Sequence, residues 1–132
     1  MASIPQTHAD LLTTKPAFAH LATTNLDGSP QVTPVWVDFD GTHVFVNTAK
    51  GRMKARNLER SPLVALSIAD PENPYRYVAI QGKVVELTEQ GGDAHIDKMA
   101  KKYLGKDSYP WRSPTEKRLI VKIVPDKVHT MG

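Results

Sequence analysis

Four basic residues stand at alternate positions in one short segment of the chain: Lys50, Arg52, Lys54 and Arg56. The segment predicts the start of a helix, where backbone amides are unpaired and the helix dipole disfavours cations. An anion at the helix start removes this conflict, and a phosphate suits both the amides and the basic side chains. Gly51 allows the backbone to approach such a ligand closely. The segment therefore predicts a phosphate-binding site.

Only some of these side chains can meet one ligand, because residues at alternate positions of a helix do not share a face. We favour Arg52 and Lys54 as the phosphate ligands, with Arg56 as the one-turn neighbour of Arg52. A solvated basic helix face is the alternative interpretation of the same pattern. Asn47 and Thr48, at the end of the preceding strand, are placed to hydrogen-bond the polar edge of a ring.

The elements that position this segment are mostly strands. Turn signals at Asn25–Ser29 and Asp40–Gly41 predict an antiparallel meander in the first part of the chain. Pro34 cannot donate to a strand ladder, so it predicts an edge or a bulge. The predicted helices are Ala9–Thr14, Lys50–Arg60 and Asp93–Leu104. The predicted strands are Phe18–Thr24, Gln31–Phe39, Thr42–Asn47, Leu63–Ala69, Tyr75–Leu87 and Lys117–Val124. This order predicts a mainly β, α+β fold: a six-stranded antiparallel split β-barrel or Greek-key barrel with two to three flanking helices.

Length and composition limit the possible functions. The 132 residues suit one domain, residues 1–132, and 40% hydrophobic with 23% charged residues is a globular composition. Without cysteine there are no disulfides, thiol nucleophiles or thiolate metal sites. A net charge of +3 suits an anionic small ligand better than nucleic acid. No segment has the pattern of a membrane span or a secretory signal, so we expect a cytoplasmic protein without membrane attachment.

Other chemistry-bearing residues have simpler explanations. The five histidines lack metal-ligand spacing, and we assign them structural or surface roles and predict no metal site. No nucleophile-elbow pattern supports hydrolysis. A run of lysines in the third helix predicts a solvated face: Lys98, Lys101, Lys102 and Lys106. The loop residues Tyr109–Arg112 either cap a substrate pocket or make a dimer contact.

The combined motifs resemble the pyridoxamine 5'-phosphate oxidase-like split-barrel superfamily. The motifs that carry the resemblance are Asp-Gly-Ser-Pro (27–30), Thr-Pro-Val-Trp-Val (33–37), Val-Asn-Thr (46–48), Lys-Ala-Arg-Asn-Leu (54–58) and Tyr-Val-Ala-Ile-Gln-Gly-Lys-Val (77–84). Within the superfamily, the Lys-Ala-Arg-Asn-Leu segment is most similar to the branch that uses the deazaflavin coenzyme F420. The resemblance extends from about Leu12 to Val128.

The resemblance implies a homodimer with two cofactor sites at the subunit interface. It places beside the tricyclic ring of F420, or of FMN as the alternative cofactor, Pro34, Val35, Trp36, Asn47, Thr48 and Ala49. It implies that Lys54, with Arg52 and Arg56, holds the phosphate and that Tyr77 lies near the pyrimidine edge. Lys50 and Arg60 are then available to an acidic oligoglutamate tail. We name no catalytic residue, because the cofactor carries the hydride.

Four functions remain open at this point. The first is an F420-dependent oxidoreductase that passes a hydride to an unsaturated small molecule. The second keeps the fold but uses FMN, although the chain has Arg-Met-Lys (52–54) where pyridoxamine phosphate oxidases proper have Ser-Arg-Lys. The third is a non-catalytic flavin- or deazaflavin-binding protein. The fourth is weak nucleic-acid binding through the basic surface.

Overall fold

The computed structural model describes all residues from Met1 to Gly132. It contains seven strands, three α-helices and one short 3-10 turn at Gln6–His8. The α-helices are α1 (Asp10–Thr13), α2 (Met53–Arg60) and α3 (Gly92–Leu104). The strands are β1 (Ala19–Thr24), β2 (Pro30–Val35), β3 (Val37–Phe39), β4 (Val44–Ala49), β5 (Leu63–Asp70), β6 (Asn73–Thr88) and β7 (Arg118–Met131). The fold is therefore mainly β, as predicted.

All strands belong to one antiparallel sheet with the order β2-β1-β5-β6-β7-β4-β3. β2 and β3 lie at opposite edges of this sheet, yet only Trp36 separates them in the chain. The two steps from Val35 to Val37 span at most about 7 Å, so the sheet has to curl until its two edges meet. The result is a barrel that stays split along a seam at Trp36.

This seam corrects two sequence predictions. The chain has seven strands rather than six, because the predicted strand Gln31–Phe39 is divided at Trp36. Its first half pairs with β1 and its second half pairs with β4, so the predicted meander is instead two hairpins at opposite edges. The hairpin turns at Asn25–Ser29 and Asp40–Gly41 are confirmed, and Pro34 does lie on an edge strand.

The helix predicted from Lys50 begins three residues later, at Met53. Gly51 has φ +92°, a backbone conformation that L side chains rarely adopt, and it turns the chain sharply after β4. Arg52 is extended and its N–H donates to the carbonyl of Ala49 at 3.2 Å. Lys50 and Arg52 therefore precede the helix instead of lying in its first turn.

The barrel interior is apolar. A cluster of 17 buried residues fills it, and Leu11 and Leu12 of α1 are completely buried in this cluster. Burying side chains of this size stabilises the fold by about 1.5–3 kcal/mol each. α1 thus acts as an apolar plug for the curled sheet.

Helix α3 covers the outside of the barrel beside the seam, and it buries Ile96, Met99 and Ala100. A Cβ at Gly92 would lie 2.4 Å from the Arg118 carbonyl oxygen, so only glycine allows α3 to begin this close to β7. Lys102 does not lie on a solvated face as predicted: its Nζ donates to the carbonyls of Leu12 (2.9 Å) and Val37 (2.7 Å). None of the helices combines the length and the apolar composition that crossing a bilayer requires.

Candidate functional site

A cavity of about 160 Å³ opens at the seam of the barrel. Six of the residues predicted for the site line it: Pro34, Val35, Trp36, Asn47, Arg52 and Lys54. Five further residues complete the lining: Phe18, Ile96, Tyr109, Trp111 and Arg118. The sequence offered Tyr109 and Trp111 only as a substrate-pocket cap or a dimer contact, and it did not single out Phe18, Ile96 or Arg118 for this site. The cavity has one cationic side and one aromatic side.

The cationic side holds Arg52, Lys54 and Arg118, and Glu116 is the carboxylate among them. Glu116 accepts from Arg52 Nη2 at 3.0 Å and from Arg118 Nη1 at 2.7 Å. The Lys54 side chain is half-buried, and its ammonium group makes no hydrogen bond or ion pair within the chain. Burial, reinforced by the neighbouring Arg52 and Arg118 charges, lowers the pKa of Lys54 below its ordinary value of 10.5. With three cations and one carboxylate, this corner of the cavity carries excess positive charge. One of the three cations, the Lys54 ammonium, has no partner.

Arg118 is the most deeply buried cation of this group, with 7% of its surface exposed. Its Nε donates to Asn47 Oδ1 at 2.7 Å, and its guanidinium lies 5.3 Å from the centre of the Tyr109 ring. Arg118 is the first residue of β7 and pairs with Ala49, the last residue of β4. The predicted strand Lys117–Val124 included Arg118, but the sequence did not show that β7 would bring it beside Asn47.

The aromatic side is a row of rings in mutual contact. Trp36 stacks on Tyr103, with centroids 5.1 Å apart and 10° between the planes. Tyr109 packs edge-on against Trp36, with ring centroids 6.0 Å apart, and against Trp111, with centroids 5.6 Å apart. Trp111 and Phe18 remain more than half exposed. Flat rings packed in this way give the cavity a rigid wall against which another ring can lie.

The loop that carries Tyr109 and Trp111 is fastened to α3. Asp97 accepts from the Tyr109 N–H at 2.8 Å and also pairs with Arg112. These bonds hold the pKa of Asp97 below its ordinary value, the Tyr109 N–H being the largest cause. Arg112 also pairs with Asp93 at 3.3 Å. The loop residues therefore line the cavity in this chain.

Asn47 lies between the two sides, with its amide already engaged. Its Nδ2 donates to the carbonyl of Gly92 at 3.0 Å and contacts His95 Nδ1 at 3.1 Å, and its Oδ1 accepts from Arg118. Thr48 follows Asn47 on the strand and therefore faces the opposite side, towards the barrel interior. The Thr48 side chain is 1% exposed and its hydroxyl has no hydrogen-bond partner.

Several predicted residues are not part of the cavity lining within this chain: Thr48, Ala49, Lys50, Arg56 and Tyr77. Ala49 is buried at the end of β4, and Lys50 pairs with Glu89 at 3.2 Å on the surface. Arg56 is exposed one turn into α2.

Tyr77 lies elsewhere on the barrel. It pairs with Met131, at the opposite end of β7 from Arg118, and packs 6.1 Å from the ring of His129. Arg60, which the resemblance made available to an acidic tail, donates to the Thr24 carbonyl at 2.7 Å. Cofactor contacts for all of these residues stay predictions.

A curled antiparallel sheet whose two edges meet at a seam defines a split-barrel protein. The profile of the family described as pyridoxamine 5'-phosphate oxidase matches residues 4–132. The chain belongs to this family of flavin-binding oxidoreductases.

Solved structures are similar to the chain in fold. An F420 reductase is 32% identical with a TM-score of 0.83, and the match covers 96% of this chain and 98% of that protein. A conserved hypothetical protein from Mycobacterium tuberculosis shares the fold at 23% identity, with a TM-score of 0.71 over 99% of this chain and 88% of its own. General Stress Protein 26 from Bacillus anthracis shares it at 15% identity, with a TM-score of 0.67 over 93% and 89%. No curated protein matches the chain.

Proposed function

We propose that this protein is an F420-dependent oxidoreductase that passes a hydride from the reduced deazaflavin to an unsaturated small molecule. The observation that carries the proposal is the half-buried, unpartnered Lys54 between Arg52 and Arg118. A lysine in that position is unfavourable for the ligand-free protein, because burial and like charges both oppose its protonated form. A bound phosphate removes that cost, since its oxygens accept charge-assisted hydrogen bonds.

The charges of this corner fit a phosphate. Three cations face one carboxylate, Glu116, so the corner retains a positive balance that an anion offsets. Arg118 presents a planar donor group whose Nη2 makes no hydrogen bond within the chain. Planar guanidinium groups suit phosphate oxygens. Lys54 and Arg118 would therefore hold the phosphate, while the exposed Arg52 contributes at the rim.

The aromatic side fits a flat ring. Pro34 and Val35 bring the edge strand to the cavity, and Trp36 supplies a wall held in place by Tyr103 and Tyr109. These residues would orient the ring and exclude water from one of its faces. Bound F420 supplies the hydride in this chemistry. The task of the chain is then to fix the ring relative to the substrate.

F420 is our first choice of cofactor and FMN our second. The 32% identity to an F420 reductase across nearly the whole chain supports F420. The exposed pair of Lys50 and Glu89 also suits it, because Lys50 can exchange one carboxylate for another on an acidic tail. FMN remains the alternative because it too presents a phosphate.

A homodimer is part of the proposal. The outer face of the sheet has an open groove of about 530 Å³ lined by exposed and small side chains, among them His20, Val32, Ser67, Ala79 and His129. Tyr77, expected near the cofactor ring, packs on His129 at this groove and not at the seam cavity. A second copy seated in the groove would bring its own cavity towards Tyr77. We expect Ser67→Arg to yield a monomer with weakened cofactor binding, and Thr42→Arg on an exposed hairpin turn to change neither property. A monomeric wild-type protein would contradict the dimer.

Titration with F420 and with FMN tests the proposed function. We expect micromolar or tighter binding of F420, followed by cofactor fluorescence, and weaker binding of FMN. Steady-state oxidation of reduced F420 by quinones or unsaturated lactones then separates an enzyme from a non-catalytic binding protein. Binding of neither cofactor, combined with salt-sensitive binding to DNA, would refute the proposal and favour the nucleic-acid hypothesis.

A further inference from the structure

Four polar side chains form a continuous row between the outer face of the sheet and α3. Asp38 Oδ2 lies 3.3 Å from His95 Nε2, His95 Nδ1 lies 3.1 Å from Asn47 Nδ2, and Asn47 Oδ1 lies 2.7 Å from Arg118 Nε. Arg118 and Asn47 line the seam cavity. Asp38 and His95 line a second cavity of about 250 Å³. The row therefore connects the second cavity to a side chain of the seam cavity.

The chemistry of the partners fixes the orientation of the Asn47 amide. The Nε–H of Arg118 can only donate, so the Asn47 atom facing it is the oxygen. The carbonyl of Gly92 can only accept, so the atom 3.0 Å from it is the nitrogen. Both contacts give the same orientation.

That orientation in turn fixes the proton on His95. The second N–H of the Asn47 amide is directed at His95 Nδ1, which accepts it only when unprotonated. The ring proton is then on Nε2 and donates to Asp38. Burial alone would raise the pKa of Asp38, but hydrogen bonds from His95, Lys98 and the Phe39 N–H outweigh burial and hold it well below its ordinary value. Asp38 is thus an ionised acceptor.

We propose that Asp38, His95 and Asn47 are positioning residues that hold the Arg118 guanidinium in the seam cavity, with His95 in its neutral Nε2–H tautomer. Arg118 is almost completely buried and lies among other cations, so it needs fixed acceptors to keep its place. Asn47 occupies Nε and Glu116 occupies Nη1, which leaves Nη2 for a ligand. What Arg118 binds rests on the proposed function, whereas the hydrogen-bonded row does not.

Nitrogen-15 NMR of ligand-free protein tests the row directly. We expect His95 to show a protonated Nε2 and an unprotonated Nδ1, and we expect the Nε–H of Arg118 to exchange slowly with solvent. Asn47→Asp keeps an acceptor for Arg118 but has no N–H for His95, so the His95 tautomer should change. A protonated Nδ1 in the wild-type protein would overturn the proposal.

Substitutions at Asp38 and His95 test the consequence for Arg118. His95→Leu and Asp38→Leu should speed exchange of the Arg118 Nε–H. Asp38→Asn retains an acceptor for His95 Nε2, so its Arg118 Nε–H should exchange at the wild-type rate. Lys98→Met is the matched control, since it removes an exposed ion pair of Asp38 and leaves the row intact. Unchanged exchange in both leucine variants would refute the positioning role, and Asp38→Leu keeps the test open if His95→Leu fails to fold.

Binding of FMN, F420 and inorganic pyrophosphate shows whether the row acts through Arg118. We expect His95→Leu to weaken binding about tenfold in the wild-type background, and less than about twofold in an Arg118→Gln background. Equal losses in both backgrounds would show that His95 does not act through Arg118. If wild-type protein binds none of the three, the proposed function fails while the NMR results still decide the positioning role.

Discussion

The indole of Trp36 lies almost parallel to the ring of Tyr103, 5.1 Å away, at the point where the two edges of the sheet meet. The Tyr103 hydroxyl donates to the Ala17 carbonyl at 2.7 Å and accepts from the Val37 N–H at 3.0 Å. Burial raises the pKa of Tyr103 to about 12, so the hydroxyl keeps its proton at neutral pH. One side chain of α3 thus holds both the seam and the ring wall of the cavity.

Tyr103→Phe should lower the free energy of unfolding by about 1–3 kcal/mol, because it leaves the buried Val37 N–H and Ala17 carbonyl without a partner. Urea unfolding measures the change. Tyr75→Phe is the matched control, since Tyr75 is 79% exposed and should tolerate the same deletion. Equal stability of the two variants would show that the hydroxyl does not hold the seam.

Lys54→Met should weaken binding of F420 or FMN by at least about tenfold, the loss expected for a hydrogen bond to a charged group. The methionine keeps most of the side-chain stem, so packing is retained. The ligand-free variant should be at least as stable as the wild type, because folding lowers the pKa of Lys54 and so disfavours its charge. Cofactor fluorescence and thermal unfolding measure the two effects.

Lys54→Arg should bind more tightly than Lys54→Met, and Lys83→Ala, an exposed lysine outside the cavity, should bind like the wild type. Unchanged affinity in Lys54→Met would remove the phosphate assignment.

Thr48→Val should raise the free energy of unfolding by about 1 kcal/mol, because it removes a buried hydroxyl that has no hydrogen-bond partner. Thr23→Val should have the opposite sign, since the equally buried Thr23 hydroxyl donates to Gln31 and accepts from Asn57. Chemical denaturation measures the pair. Cofactor affinity should be unchanged in Thr48→Val; a large loss would mean that the Thr48 hydroxyl, and not only its backbone, reaches the ligand.

Lys102 gives a pH-dependent prediction. Burial lowers its pKa from 10.5 to about 8, so in this range the folded chain loses a proton that the unfolded chain keeps. The unfolded state then binds more protons, and stability contributed by Lys102 rises with pH from about 8 to 10.5. The stability of wild type relative to Lys102→Met should therefore increase over this interval.

The predicted strands existed, but the break at Trp36 could not be seen from the sequence. The alternation of inward and outward residues continues through Gln31–Phe39 without a change of phase, so a local pattern describes one strand. Only the pairing of its halves with β1 and β4 divides it. The turns at Asn25–Ser29 and Asp40–Gly41 were predictable because their residue types determine the backbone locally.

Residues of the site were predictable where a local signal existed. Arg52 and Lys54 stood out as cations at a strand-to-helix turn. Arg118 did not, because its contact with Asn47 joins residues 71 positions apart. Lys102 was wrongly predicted to be solvated for the same reason: its carbonyl partners, Leu12 and Val37, lie 90 and 65 positions away in the chain.

Both strands that flank Trp36 are poor templates for the addition of another strand. Pro30 and Pro34 have no N–H to donate from β2, and β3 is only three residues long. Long strand edges with a full row of backbone donors and acceptors promote aggregation, and neither β2 nor β3 presents such an edge. The barrel can therefore remain split, with its cavity open to small molecules, without recruiting foreign polypeptide at the same opening.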